Sequence, residues 1–182
     1  MVKLKELREA LQSNDPLLIE EIYERIYDDY YKLVYYIVIK IVKDTEDCIE
    51  ITNDVFLKAF NNISKFDINN NQSSIKSWIV RIAKNEAINF YNKQKKHNIV
   101  LDDEYIEKIN SPDIDKFLLL VEEFKEILTE EELDILMFRI YYDLKLREIA
   151  EYYNSTTSII YTKYQNALKV LKEHYKKGDF HE

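Results

Sequence analysis

One glycine, two prolines and one cysteine occur among 182 residues. A single glycine cannot build a phosphate-cradling loop and leaves few tight turns for a sheet, so the chain reads as helical throughout. The lone Cys48 excludes an internal disulfide, suits a reducing cytosol, and fits best as a small buried hydrophobe. His97, His174 and His181 are scattered, and none has metal-ligand spacing with Cys48. No metal and no cofactor are therefore expected, and an enzyme is the weakest of the functional readings. No window approaches the ~18 uncharged apolar residues of a membrane span. The opening MVKLKELREAL has no continuous apolar core, which argues against a secretory leader. The expectation is a cytoplasmic protein with no membrane insertion.

Apolar residues make up 46% of the chain and charged residues 33%, so burial can offset chain entropy. The length suits one domain or two small ones. The formal charge of −8 conceals a block pattern. Residues 1–54 carry −6, residues 55–97 carry +6, residues 98–134 carry −10, residues 135–177 carry +4, and the last five carry −2. Two basic blocks separated by an acidic one suggest two surfaces that face a polyanion and a connector that avoids it. Solvated helix faces of uneven charge would give the same totals.

The segment SNDPLLIEEIYERIYDDYYKLVYYIVIKIV reads as one helix. Asp15 caps its start and Pro16 fits the first turn, where a missing N–H costs nothing. Leu18, Ile22, Ile26, Tyr30, Val34 and Ile37 form its apolar stripe. A second helix follows Asp44, with Asp47 in its first turn and Ile51, Val55, Phe56, Ala59, Phe60 and Ile63 on its apolar side. KFDINNNQSS is a polar loop whose Ser74 can cap the next helix. In that helix Ile75, Trp78, Ile79, Ile82, Ala83 and Phe90 fall on one side, and Arg81, Lys84, Asn85 and Asn92 fall opposite. Glu86 lies in the middle of the apolar side and needs a partner. Lys93, Lys95 and Lys96 extend the basic charge.

NIVLDDEYIEKINS, residues 98–111, has no amphipathic period and reads as a linker. Ser111-Pro112-Asp113 then starts a helix faced by Phe117, Leu118, Val121, Phe124 and Leu128. Thr129 and Glu132 have capping-box spacing and open a helix with Leu133, Leu136, Met137 and Ile140 inside. Gly178 follows two lysines, the usual pattern of a helix end that turns left-handed.

Residues 146–168 have helix–turn–helix spacing. Ile149 and Ala150 sit on the inner face of the first helix, and Asn154 takes the turn, where positive φ is needed. Ile160, Tyr164, Leu168 and Leu171 anchor the second helix. Ser158, Tyr161, Thr162, Gln165 and Lys169 share its outward face, the amide and hydroxyl groups with cations beyond that a major-groove reader requires.

The motifs resemble a family. Trp78 to Asn89, WIVRIAKNEAIN, is similar to the region 2 signature of sigma factors of the extracytoplasmic-function type. Asn53 to Phe60, NDVFLKAF, resembles that family's Gln-Glu-Val-Phe-Leu segment, and Phe66-Asp67 matches the start of its promoter-reading loop. Glu131 to Leu171, which includes ALKVL, resembles region 4. The resemblance implies an all-α chain of two small helical domains: a region 2 bundle over 1–97 and a region 4 helix–turn–helix over 112–182, joined by an acidic linker over 98–111.

It also implies roles. Asn53, Asp54, Leu57 and Lys58 would contact the β′ clamp helices of core RNA polymerase, and the second domain its β flap. Asn69, Asn70, Asn71, Gln72, Ser73 and Ser74 of the loop would bind the −10 element. Lys76, Arg81, Lys84, Asn85 and Asn89 of the following helix would join them. Ser158, Tyr161, Thr162, Gln165, Asn166 and Lys169 would read the −35 element. Promoter DNA is the implied ligand, and an anti-sigma factor is a further candidate partner. Departures from the pattern are visible. Asn53-Asp54 shortens the usual Gln-Glu pair, and Asp143 and Lys145 stand where Gly and Ser are expected. Ser155 replaces an apolar residue in the turn, and Tyr161 and Asn166 replace basic residues. Two other readings compete: an operator-binding regulator that never meets polymerase, and a polymerase-binding subunit that cannot melt DNA.

Overall fold

The computed structural model describes residues 2–42, 44–67, 74–96 and 121–178. Every regular element among them is helical. The chain divides into two compact units, Met1–Ile106 and Glu107–Glu182. The boundary falls within 98–111, a segment that lies outside the described residues, as do Phe117 and Leu118.

The first unit contains α1 (Leu4–Ser13), α2 (Pro16–Val42), α3 (Thr45–Asn61), a 3-10 turn (Ile63–Lys65) and α4 (Ile75–Lys96). Local chemistry sets the starts. Asp15 Oδ1 accepts from Leu17 N at 3.0 Å, and Asp44 Oδ1 accepts from Asp47 N at 3.0 Å. Ser74 Oγ accepts from Ser77 N at 3.4 Å. Each side-chain oxygen satisfies an orphan N–H of a first turn. Helix α1 is an addition to the sequence reading; Leu7 and Ala10 bury it, and it ends at Asn14 with φ 53°.

Helices α2, α3 and α4 pack pairwise on one another, and α1 packs on α2. Ile22, Ile26, Tyr30, Val34 and Ile37 of α2 are buried, with Val55, Phe56 and Ala59 of α3 and Ile79, Ala83 and Ala87 of α4. Leu18 departs from the expected stripe: it is exposed near the start of α2, one turn before the buried residues begin. A second stripe repeats every four residues, Tyr23, Tyr27, Tyr31 and Tyr35, all half-buried. Tyr23 stacks flat on Phe60 at 4.2 Å, Tyr27 leans on Phe56 at 4.7 Å, and Tyr27 and Tyr31 lie 5.2 Å apart. This ladder carries much of the α2–α3 seam.

In the second unit, residues 121–125 are helical, followed by α5 (Glu130–Leu136), a π-helical segment (Met137–Tyr141), α6 (Leu146–Tyr152) and α7 (Thr157–Gly178). The Thr129–Glu132 capping box is formed: Glu132 Oε2 accepts from Thr129 N at 3.1 Å and Thr129 Oγ1 from Glu132 N at 3.4 Å. Leu133, Leu136, Met137, Phe138, Leu144 and Ile149 are buried. Ile140, expected inside, is exposed. The π segment adds one residue to the turn there, which shifts the face that an α-helical count assigns. Gly178 also differs from expectation: it belongs to α7, and no described glycine has positive φ.

Candidate nucleic-acid and polymerase interface

Helix α4 is placed by two neighbours, and this decides which of its residues face outward. Arg81, Asn85 and Asn89 are exposed, and Lys84 is half-buried. Desolvation lowers the Lys84 ammonium below the usual lysine value. Lys76 corrects the expectation. It is 6% exposed and lies on one line with Val80, Ala83 and Ala87, which are also buried. A helix packed on both α2 and α3 buries a wider arc than one apolar stripe suggests, and Lys76 falls within it. Asn69, Asn70, Asn71, Gln72 and Ser73 lie outside the described residues; Ser74 is half-buried at the cap. Trp78 is half-buried against Phe66, with ring centres 5.4 Å apart.

Glu86 has its partner on another helix. Its Oε1 accepts from Lys58 Nζ, so a carboxylate among apolar residues of α4 meets an ammonium of α3. Gln94 Nε2 donates to Asp47 Oδ2 at 2.8 Å and ties the far end of α4 to the first turn of α3.

The outward edge of α3 carries Asn53, Asp54, Leu57 and Lys58, all exposed, with Leu57 at 60%. Tyr27 Oη donates to Asn53 Oδ1 at 3.0 Å. Beside this edge Pro16, Ile19, Tyr23, Tyr27 and Phe60 line a shallow groove rimmed by Glu20, Glu24 and Asp28. The groove was not read from the sequence. Tyrosines at every fourth position of α2 are the signal that could have shown it.

In the second unit, Asn154 has φ 50°. Ser155 N donates to Ala150 O at 2.8 Å and Asn154 N to Glu151 O at 3.2 Å. These two bonds are the Schellman closure of α6. Thr156 Oγ1 then accepts from Ile159 N at 3.3 Å and caps α7. The turn is thus fixed by backbone bonds where α6 ends and by a side-chain cap where α7 begins. Asp143 also takes a left-handed φ of 51°, which accounts for the glycine that the family pattern carries there. Lys145 gives no side-chain cap; Glu148 Oε2 accepts from its N–H at 2.8 Å instead.

Ile160 and Ala167 of α7 are fully buried and Leu171 nearly so. Ser158, Tyr161, Thr162, Gln165, Asn166 and Lys169 are all exposed. Thr162 Oγ1 donates to Ser158 O at 3.0 Å, which leaves its oxygen lone pairs pointing away from the helix. Lys163 reaches Glu131 and pins α7 to α5. Among the described residues no group of three His, Cys, Asp or Glu is placed to hold a metal ion, and no helix is long and apolar enough to cross a membrane.

Two solved structures share this architecture. The sigma factor RpoE of Bartonella quintana, solved in complex with the anti-sigma factor NepR, superposes with a TM-score of 0.58 at 14% identity, over 86% of this chain and 98% of that one. CnrH, solved in complex with the cytosolic domain of CnrY, gives 0.58 at 12% identity, over 94% and 97%. The fold is therefore that of a helical sigma factor. The sigma-70 region 2 family profile matches residues 26–97. RNA polymerase sigma factor SigV of Bacillus subtilis (strain 168) is 32% identical over 159 residues, covering 83% of this chain and 87% of that protein. The chain belongs to the RNA polymerase sigma factors of the extracytoplasmic-function type. Such factors direct the initiation of transcription and are not themselves enzymes.

Proposed function

We propose that this sigma factor binds core RNA polymerase, reads a −35 element with α7 and a −10 element with α4 and the loop before it, and helps to melt the DNA. Residues 1–97 serve as region 2, residues 98–111 as the acidic linker, and residues 112–182 as region 4. The observation that carries the reading is the outward face of α7. Its polar side chains are exposed on one side of a helix whose entry is fixed by the Asn154 turn and the Thr156 cap. An α-helix so presented fits the major groove, and Gln165 and Asn166 have the amides that pair bidentately with adenine.

Region 2 acts by a different mechanism. Arg81 and Lys84 supply phosphate attraction, and Asn85 and Asn89 supply donors and acceptors for bases taken out of the stack. Contacts with an unpaired base offset the cost of unpairing, so recognition and opening are one step. The edge Asn53, Asp54, Leu57 and Lys58 contacts the β′ clamp helices, and the second unit contacts the β flap. The acidic linker occupies a cationic path through polymerase that RNA takes later. The factor works in the cytoplasm. By likeness to RpoE with NepR, an anti-sigma factor is proposed as its regulator.

In-vitro transcription of genomic fragments with purified core polymerase tests the whole reading. New start sites are expected only when the chain is added, and their absence would overturn it. Gln165→Ala should relax preference at a −35 position by roughly 1–3 kcal/mol, about 5- to 150-fold. Lys169→Ala should instead weaken all sequences alike and reduce the salt slope by about one unit. If Gln165→Ala left preference unchanged at every −35 position, α7 would not be the reader.

A further inference from the structure

The outward edge of α3 is held at its borders and free in its middle. At about 100° per residue, Asn53 and Lys58 bound an arc of roughly 140°, with Leu57 and Asp54 between them. Asn53 is bonded by Tyr27 of α2 at 3.0 Å, and Lys58 is paired with Glu86 of α4. Among the described residues the Asp54 side chain makes no hydrogen bond or ion pair, and Leu57 is 60% exposed. Tyr27 is itself fixed, because its ring rests on Phe56 at 4.7 Å and Tyr31 at 5.2 Å.

We infer that Tyr27 and Glu86 are positioning residues for this edge, holding Asn53 and Lys58 from the α2 and α4 sides so that both meet core RNA polymerase already oriented. The inference rests on the reading of the edge as the polymerase contact. Its physical basis is preorganisation: a side chain ordered before binding loses less freedom on binding. Lysine has the most rotamer freedom to lose, and Glu86 restricts it. Asn53 is one methylene shorter than the glutamine of the family pattern, and Tyr27 supplies an anchor that a longer side chain would reach past. Neither bond exhausts its residue. Asn53 keeps both amide N–H groups once its oxygen is taken, and the Lys58 ammonium keeps two of three donors. The edge therefore offers donors at both borders, and the polymerase surface opposite them should carry carboxylate or carbonyl acceptors.

The test measures affinity of the full chain for purified core RNA polymerase. Tyr27→Phe and Glu86→Gln should each weaken binding about two- to tenfold, the range of one hydrogen bond or weak ion pair. Double-mutant cycles separate positioning from general support. In an Asn53→Ala background Tyr27→Phe should cause no further loss, and in a Lys58→Ala background neither should Glu86→Gln. Equal losses in both backgrounds would mean that the two residues merely stabilise the bundle, and would overturn the inference. So would unchanged or tighter binding of the single variants while Asp54→Ala and Leu57→Ala weaken it. If Asp54→Ala and Leu57→Ala also leave affinity unchanged, the polymerase reading of the edge fails and the inference falls with it.

Discussion

The two units solve the same problem with different means. In the first, α2, α3 and α4 run 27, 17 and 22 residues, long enough to bury side chains along several turns. Its seams are made by side chains: the tyrosine ladder on Phe56 and Phe60, and alanines of α4 where helices approach closely. In the second, α5 and α6 have seven residues each. Helices that short do not persist alone. They are held by a capping box, a buried Glu148 cap, a π turn and two left-handed residues, Asp143 and Asn154. The difference follows from what each presents. A bundle offers broad faces, and their placement averages over many contacts. A helix–turn–helix must deliver one helix at one angle, so the backbone at the turn decides it.

Core truncation should have the largest effect in either unit. Phe56 and Phe138 are the largest fully buried side chains, one in each. Phe→Ala at either should cost about 3–5 kcal/mol. The chain has one tryptophan, Trp78, so its fluorescence reports the first unit alone. Chemical denaturation followed by that signal should move for Phe56→Ala and stay put for Phe138→Ala, while far-UV circular dichroism should register both. A shift of the Trp78 midpoint on replacing Phe138 would break the comparison, because it would show that the units stabilise one another.

Backbone changes should come next and should separate the units further. Asn154→Ala places a Cβ in the left-handed region, at a cost of about 1–2 kcal/mol. Asn154→Gly removes that penalty, so it should leave the far-UV melting midpoint near the parent value. Asn14 is the matching residue of the first unit, but it closes only α1. Asn14→Ala should lower stability by a similar amount while leaving polymerase binding intact, whereas Asn154→Ala should also reduce −35 selectivity by re-aiming α7. If Asn154→Ala destabilised without altering selectivity, the turn would not be what sets the reading helix.

The same contrast explains what was legible in the sequence. Starts fixed by nearby residues were readable: Asp15, Ser74 and the Thr129–Glu132 pair cap as their spacing predicts, and the helix expected after Asp44 begins there, with Asp44 as its cap. Asn154 was readable because few residues other than glycine accept its φ. The outward face of α7 was readable from its helical spacing: Ser158, Tyr161, Thr162, Gln165 and Lys169, expected there, are all exposed. On α4 the family resemblance put Lys76 among the DNA contacts, but the arc buried against α2 and α3 is wider than the apolar stripe, and Lys76 is buried one turn before Val80. Glu86 could not be resolved from its own helix, since its partner, Lys58, is 28 residues away on α3. The π turn after Leu136 has no residue signature, so Ile140 was counted on the wrong face. Tyr27–Asn53 was invisible for the same reason as Lys58–Glu86: it joins residues 26 apart.

The smallest effect is one of pH, and in the moderately alkaline range it comes chiefly from one thiol of the first unit. Cys48 is fully buried in α3. Burial, with Asp44 and Asp47 beside it, pushes its thiol up to about 12. The folded state thus keeps its proton where the unfolded chain releases it, near the ordinary thiol value of about 8.5. The stability this contributes is complete below that value and is lost as pH rises toward 12. By pH 9.5 the loss should reach about 1.4 kcal/mol. Tyr35, raised to about 12 by burial and by Cys48, adds a loss of the same sign only above pH 10. Thermal melts followed by Trp78 fluorescence between pH 7.5 and about 9.5 should therefore fall in the parent and fall less in Cys48→Ala. The comparison uses the slope with pH and not the level, because removing the sulfur also leaves a small cavity. Equal slopes in the two proteins would mean that Cys48 becomes accessible to hydroxide in the native state, and that the α2–α3 seam opens before the first unit unfolds.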